Sequence, residues 1–381
     1  MDRPKLTFPR QLLFPLLLCL TFASAQTPKP PTTTPPGGRL VIADQDASGP
    51  GGSDMAALLV LLQSPKAHLL GITVVTGDAG RDEEVAHALR LLEIVGRTDL
   101  KVYPGAVVPL VRTEAWTRLN QQMYGKVTWM GAWRESRSTA SNTAPSLQEG
   151  APTTLPAEED AAHFMVRTVH QYPHQVTIYA AGPLTNIALA LRLDPHFAEL
   201  AQELVVMGGS LAPRSEAHEW YNRPRHEFNF WFDPEAASIT LNAPWPKITV
   251  TTVDASVQTK LSGVLAAMQG SPAIPARYLI QYSKQTGASD IAWDELAAAT
   301  WLDPSITVHA RDLLMDVDID HGALYGETLT WSEFDKPALP HQIVHAQVDV
   351  DAPRLERDLI ELFTSPTPGA HNPRPLPAPS K

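Results

Sequence analysis

Leu40-Val41-Ile42-Ala43-Asp44-Gln45-Asp46-Ala47-Ser48-Gly49-Pro50-Gly51-Gly52-Ser53-Asp54 carries an apolar run into two alternating acids, a glycine-rich loop and a third acid. That third acid opens Met55-Ala56-Ala57-Leu58-Leu59-Val60-Leu61-Leu62. The pattern predicts a buried strand, a loop and a helix. In an open α/β sheet, ligands bind beyond the carboxyl ends of the strands, where such loops lie. Asp44, Asp46 and Asp54 would repel one another there unless a cation or shared protons offset their charge. Hard oxygen ligands favour Ca2+ or Mg2+ over zinc.

Outward from this stretch the same unit recurs. His68 to Val75 reads as a second strand ending at Thr76-Gly77-Asp78, followed by a helix over Glu83 to Val95 that Gly96 is placed to cap. Lys101-Val102-Tyr103 is a short third strand. Further strands are expected over Gln175 to Tyr179, Glu203 to Met207 and Lys247 to Val253, with helices over Ala157 to Tyr172, after Gly182, from Asp233-Pro234, and through much of Ser262 to Ala299. This alternation predicts an α/β fold, an open, mainly parallel, Rossmann-like sheet flanked by helices. Thr113 to Pro156 holds Trp116, Trp129 and Trp133 with little periodicity, and reads as a long, partly ordered excursion over the sheet edge.

The ends differ from the middle. Arg3, Lys5 and Arg10 precede the apolar Leu12 to Leu20, and Ala23-Ser24-Ala25 suits signal peptidase, so residues 1–25 are expected to be an export signal. The apolar segment is too short to span a bilayer comfortably. Cys19, the single cysteine, lies inside it, so the mature chain would hold no disulfide. Residues 26–38 form a Pro/Thr-rich linker, 39–364 the folded domain, and 365–381 a proline-rich tail expected to be disordered. A net charge of −11 argues against nucleic-acid binding, though not against an uncharged nucleoside.

Asp44, Asp46 and Ser48-Gly49 match the opening of an EF-hand loop, but Met55 stands where the bidentate Glu is required. A Walker phosphate loop is absent too, since no Gly-Lys-Ser/Thr follows the strand. The plain alternative is a solvated acidic turn with Asp54 as a helix cap.

Later segments weigh against that alternative. Asp44, Asp46 and Asp54 match three acids of the opening motif of the inosine-uridine nucleoside hydrolase family, which the chain resembles from about Leu40 to Asp351. Leu69-Leu70-Gly71-Ile72-Thr73, Gly182 to Ala190, Val205 to Gly209, and Glu227-Phe228-Asn229 through Ala237 resemble further blocks in family order. The resemblance implies a Ca2+ site built from Asp46, Asp54, the Ala181 backbone carbonyl and Asp294. It implies Asp46 as general base, Asp44 as a support beside it, and Glu227, Asn229 and Asn222 as the ribose-holding set. It also implies hydrolysis of a small-molecule nucleoside by a homodimer or homotetramer.

The chain departs from the family pattern at three places. Ser53 replaces the first acid of an Asp-Asp pair, within a longer loop. Asp78 replaces an Asn, and Trp293 replaces a His before the last metal-binding Asp. The last two resemble the purine-specific subgroup, in which tryptophans sandwich the base and an Asp aids leaving-group protonation. Trp293 would be one face of that sandwich and Trp116 the other, with Trp129 and Trp133 as rivals. Broad or pyrimidine specificity, or a nucleoside-binding protein without turnover, are the competing expectations.

Overall fold

The computed structural model describes residues 37–134, 145–286, 290–338 and 341–377. The expected export signal, Cys19 and nearly all of the linker lie outside them. Among the described residues no helix is long and apolar enough to cross a membrane.

Among the described residues nine strands form one sheet: β1 (Arg39–Gln45), β2 (Ala67–Val74), β3 (Val102–Pro104), β4 (Val176–Ala181), β5 (Glu203–Met207), β6 (Ile248–Thr251), β7 (Thr307–Val317), β8 (Thr328–Trp331) and β9 (Ile343–Val350). Their order is β3-β2-β1-β4-β5-β6-β9-β7-β8. The first seven in that order run parallel, and β7 is antiparallel to both neighbours. The open, mainly parallel sheet is therefore as expected, and the order in which its strands are connected reverses between β1 and β4. That is the switch point at which open α/β sheets bind ligands.

β1 shows why its residues occupy this place. Successive side chains point to opposite faces. Leu40 and Ile42 join the apolar layer containing Phe164, Ile178 and Ile187, whereas Val41 and Ala43 join the layer containing Leu58, Tyr179 and Leu296. A strand buried on both faces needs an unbroken apolar run, and β1 has one until Asp44. The helix Ser53–Gln63 is buried along almost its whole length. It packs against Asp294–Leu302, which is also buried throughout. Burying each of its leucines contributes roughly 1.5–3 kcal/mol, enough to hold polar residues at the same helix ends out of water.

Three strands, β7, β8 and β9, lie beyond those expected from the sequence. The first half of β7 is mostly exposed and polar, which hides it, whereas β9 does alternate, with Val344 and Ala346 buried beside exposed Ile343 and His345. One expectation needs correction. The proline-rich tail is not loose over 365–377. The Arg374 amide donates to the Glu93 carbonyl (2.9 Å), His371 N to Gly96 O (2.6 Å), and Gln281 Nε2 to Pro377 O (3.0 Å). Prolines lack the amide that a sheet or helix would use, but their carbonyls accept hydrogen bonds freely, so the tail pairs with side chains and helix ends.

Candidate active site

Beyond the carboxyl ends of β1, β2, β4 and β5 lies a cavity of about 820 Å³. Asp46, Asp54, Asp78, Glu227, Asn229, Trp293 and Asp294, all expected from the sequence, line it. Asp46 follows β1 directly. Its Oδ2 accepts the Asp78 amide at 3.0 Å, fixing the carboxylate against the end of β2. Gly77 and Gly182 leave room for it: a Cβ at Gly77 would sit 2.1 Å from Asp46 Oδ2, and one at Gly182 2.9 Å from Oδ1.

Asp54 and Asp294 stand in the first turns of the two packed helices, where the helix dipoles favour negative charge. Asp54 Oδ2 accepts from Ser48 N (2.9 Å), and Asp294 Oδ2 from Gln45 Nε2 (2.8 Å). The two carboxyl groups are near enough to share a proton. Two carboxyl groups this close require a proton or a cation between them. Burial, and then the mutual repulsion of these acids, pushes Asp46, Asp54 and Asp294 well above the ordinary carboxylate range.

The set fits a hard cation. It offers only oxygen, it gathers several acids, and Ala181 pairs with Gln45, the residue before Asp46, at the end of β4. Among the described residues no three acidic, His or Cys side chains are already gathered into a closed metal-holding group. Asp54 and Asp294 form a pair, with Asp46 beside them.

Ser53 is bound into this arrangement. Its hydroxyl donates to Glu295 Oε2 and accepts the amides of Trp293 (3.2 Å) and Asp294 (3.0 Å). A serine where an acid was expected thus ties the Ser53–Gln63 helix to the start of Asp294–Leu302. Burial raises Glu295 to about 7.

Glu227 caps the short helix Phe228–Phe232. Its Oε1 accepts from Asn229 N (2.7 Å), and its Oε2 from Gly209 N and Phe230 N (both 3.0 Å). Burial nonetheless raises it to about 7, against the pull of those three amides. Asn229 Nδ2 donates to the Met207 carbonyl at 3.1 Å, which turns its oxygen away from the strand end. Asp44 is fully buried below the floor of the cavity. It accepts from Thr73 Oγ1 (2.6 Å) and Asn186 Nδ2 (2.8 Å), and burial lifts it to about 7. It does not line the cavity.

Of the expected contacts, Trp116, Asn222 and Ala181 are absent from the cavity lining, as is the rival Trp133. Trp116, in the helix Glu114–Tyr124, packs edge-on against Tyr325 with ring centroids 4.9 Å apart, beneath Arg112. Asn222 is exposed and donates to the His218 carbonyl. Two other tryptophans occupy the wall. Trp129 lines the cavity with its indole N–H on Asp78 Oδ1, and Trp220 lies 5.7 Å from Trp293 at 50°. Gly131 makes the first placement possible. At φ +53 it lies against Gly77 O, where a Cβ would come within 2.2 Å, and Ala132 N donates to the same oxygen. Trp220 had no sequence signal beyond being an aromatic in a polar loop.

Comparison with known proteins agrees with this geometry. The profile of the inosine-uridine preferring nucleoside hydrolase family matches residues 41–357. An uncharacterized protein of Schizosaccharomyces pombe is 30% identical over 73% of this chain and 72% of its own length. Uridine nucleosidase 1 of Arabidopsis thaliana is 32% identical, over 58% of each chain, so that likeness spans little more than half of the relative. Among solved structures, a plant nucleoside hydrolase superposes with a TM-score of 0.68 at 25% identity, covering 86% of this chain and 99% of that one.

Proposed function

The chain belongs to the inosine-uridine preferring nucleoside hydrolase family, and on that premise we propose that it hydrolyses the N-glycosidic bond of purine ribonucleosides with the help of Ca2+. The carrying observation is that Asp46, Asp54 and Asp294 meet Glu227 and Asn229 at one end of a cavity walled by Trp129 and Trp293.

Asp46, Asp54, Asp294 and the Ala181 carbonyl would hold Ca2+, which when bound lowers the pKa of water and grips vicinal hydroxyls. Asp46 accepts the proton of the attacking water. Positive charge develops on the ribose as the bond to the base breaks, and Glu227 with Asn229 stabilises it. Trp293 and Trp129 flank the planar base, and Asp78, hydrogen-bonded by Trp129, assists protonation of the leaving group. The early segment of the sequence supports export of the mature enzyme.

A second reading, activity on pyrimidine nucleosides, is favoured by the likeness to a uridine nucleosidase. The test of hydrolysis itself is release of free base and reducing sugar from inosine by purified protein, before and after removal of metal by chelator. Release that stops with chelator and returns with Ca2+ supports the proposal. Unchanged release after chelation would sink the role of metal, and no release with Ca2+ present would sink the enzyme.

A further inference from the structure

The short helix His218–Asn222 places Glu219 and Trp220 in the cavity wall, and neither belongs to the machinery described above. Trp220 leans on Trp293, so the two rings form a continuous aromatic surface. Trp129 attracts a cation already: Arg134 sits 4.7 Å above its ring centroid. Glu219 is a half-buried carboxylate whose one ion-pairing neighbour among the described residues is His226, 4.0 Å away. His226 is no counter-ion. Full burial holds it near a pKa of about 3, and it is neutral at physiological pH. Among the described residues no permanently charged cation pairs with Glu219, which lines the same cavity as Trp220 and Trp293; an acid sharing a cavity with indole rings suits a delocalised positive charge.

We propose that Glu219 and Trp220 form a recognition wall selecting nucleosides whose base carries a permanent positive charge, such as purines alkylated on the imidazole ring. The inference rests on the hydrolase reading and names its preferred substrate class. The chemistry suits a site with Trp293 where a histidine acid was expected. A neutral purine must gain a proton to leave. From an alkylated purine, the C1′–N bond breaks, its electron pair returns to the ring nitrogen, and the base departs neutral. Water supplies the new C1′ hydroxyl, and its second proton goes to Asp46.

The test is calorimetric titration of the full chain carrying Asp46→Asn, which slows turnover, with 7-methyladenosine (a fixed cation at pH 7) and with adenosine. The expected result is about tenfold tighter binding of the cation, the size of a partly desolvated cation–π contact reinforced by one carboxylate. Adding Glu219→Gln or Trp220→Leu should reduce that advantage to about twofold or less, with adenosine binding retained in the Glu219→Gln protein. Equal affinity for the two nucleosides, or an advantage that survives both substitutions, would overturn the inference while leaving the hydrolase reading intact. Binding of neither nucleoside by this variant, once titration has shown that it takes up Ca2+, would overturn both.

Discussion

Asp46 is fixed through one oxygen by the Asp78 amide, and Gly77 and Gly182 keep its surroundings open. Its replacement by Asn preserves shape and removes the base. Asp46→Asn should lower kcat by about 10²–10⁴-fold with the far-UV circular dichroism unchanged, as steady-state kinetics would show. Ser53 tests a structural role. Ser53→Ala leaves Glu295 buried without its hydroxyl partner and frees the amides of Trp293 and Asp294. A loss of about 1–3 kcal/mol in denaturant-measured stability is expected, with weaker Ca2+ binding. Asp46 and Asp54 were legible because an acid at a strand end and an acid at a helix start have fixed places in an α/β unit. Trp116 was not. Distance along the chain placed it near the base, but Arg112 and Tyr325, the latter more than two hundred residues later, decide where its ring lies.

At the scale of elements, the excursion after β3 divides into two parts with different work. The helix Glu114–Tyr124 anchors Trp116 to the segment around Tyr325, whereas Met130, Trp133 and Phe232 pack together and present Trp129 to the cavity. Trp116→Ala is therefore expected to lower the melting temperature and leave KM for inosine within about twofold, while Trp129→Ala raises that KM severalfold; the pair of kinetic assays checks both. Alternation of apolar runs and helical patterns disclosed the parallel half of the sheet. β7 escaped because Thr307-Val308-His309-Ala310-Arg311-Asp312 is mostly exposed, where no burial pattern is imposed. Asn222 escaped for a related reason. The loop that carries it is stabilised by local hydrogen bonds, so spacing from Glu227 does not set its direction.

Across the whole molecule, burial concentrates protonatable acids at the switch point of the sheet. Asp44, Glu227 and Glu295 are each raised to about 7, chiefly by burial. Each keeps its proton in the folded chain at a pH where the unfolded chain has lost it. Their stabilisation is fully present below the unfolded carboxyl values of about 4 and is lost as pH rises through about 7. Glu93 acts in the opposite sense. It is lowered to about 2 by the amides of Thr153 and Thr154 with help from Arg90, and its contribution disappears as pH falls from about 4.5 toward 2. Chelator-treated protein should accordingly melt highest near pH 5 and progressively lower toward pH 8. Because Ca2+ competes with protons for carboxylates, added Ca2+ should raise the melting temperature more at pH 7.5 than at pH 5.5. The proposed preference for purine nucleosides is checked by comparing kcat/KM for inosine, adenosine, guanosine and uridine in saturating Ca2+. At least one purine nucleoside is expected to exceed uridine by tenfold or more; uridine cleaved as well as or better than all three would rule the preference out.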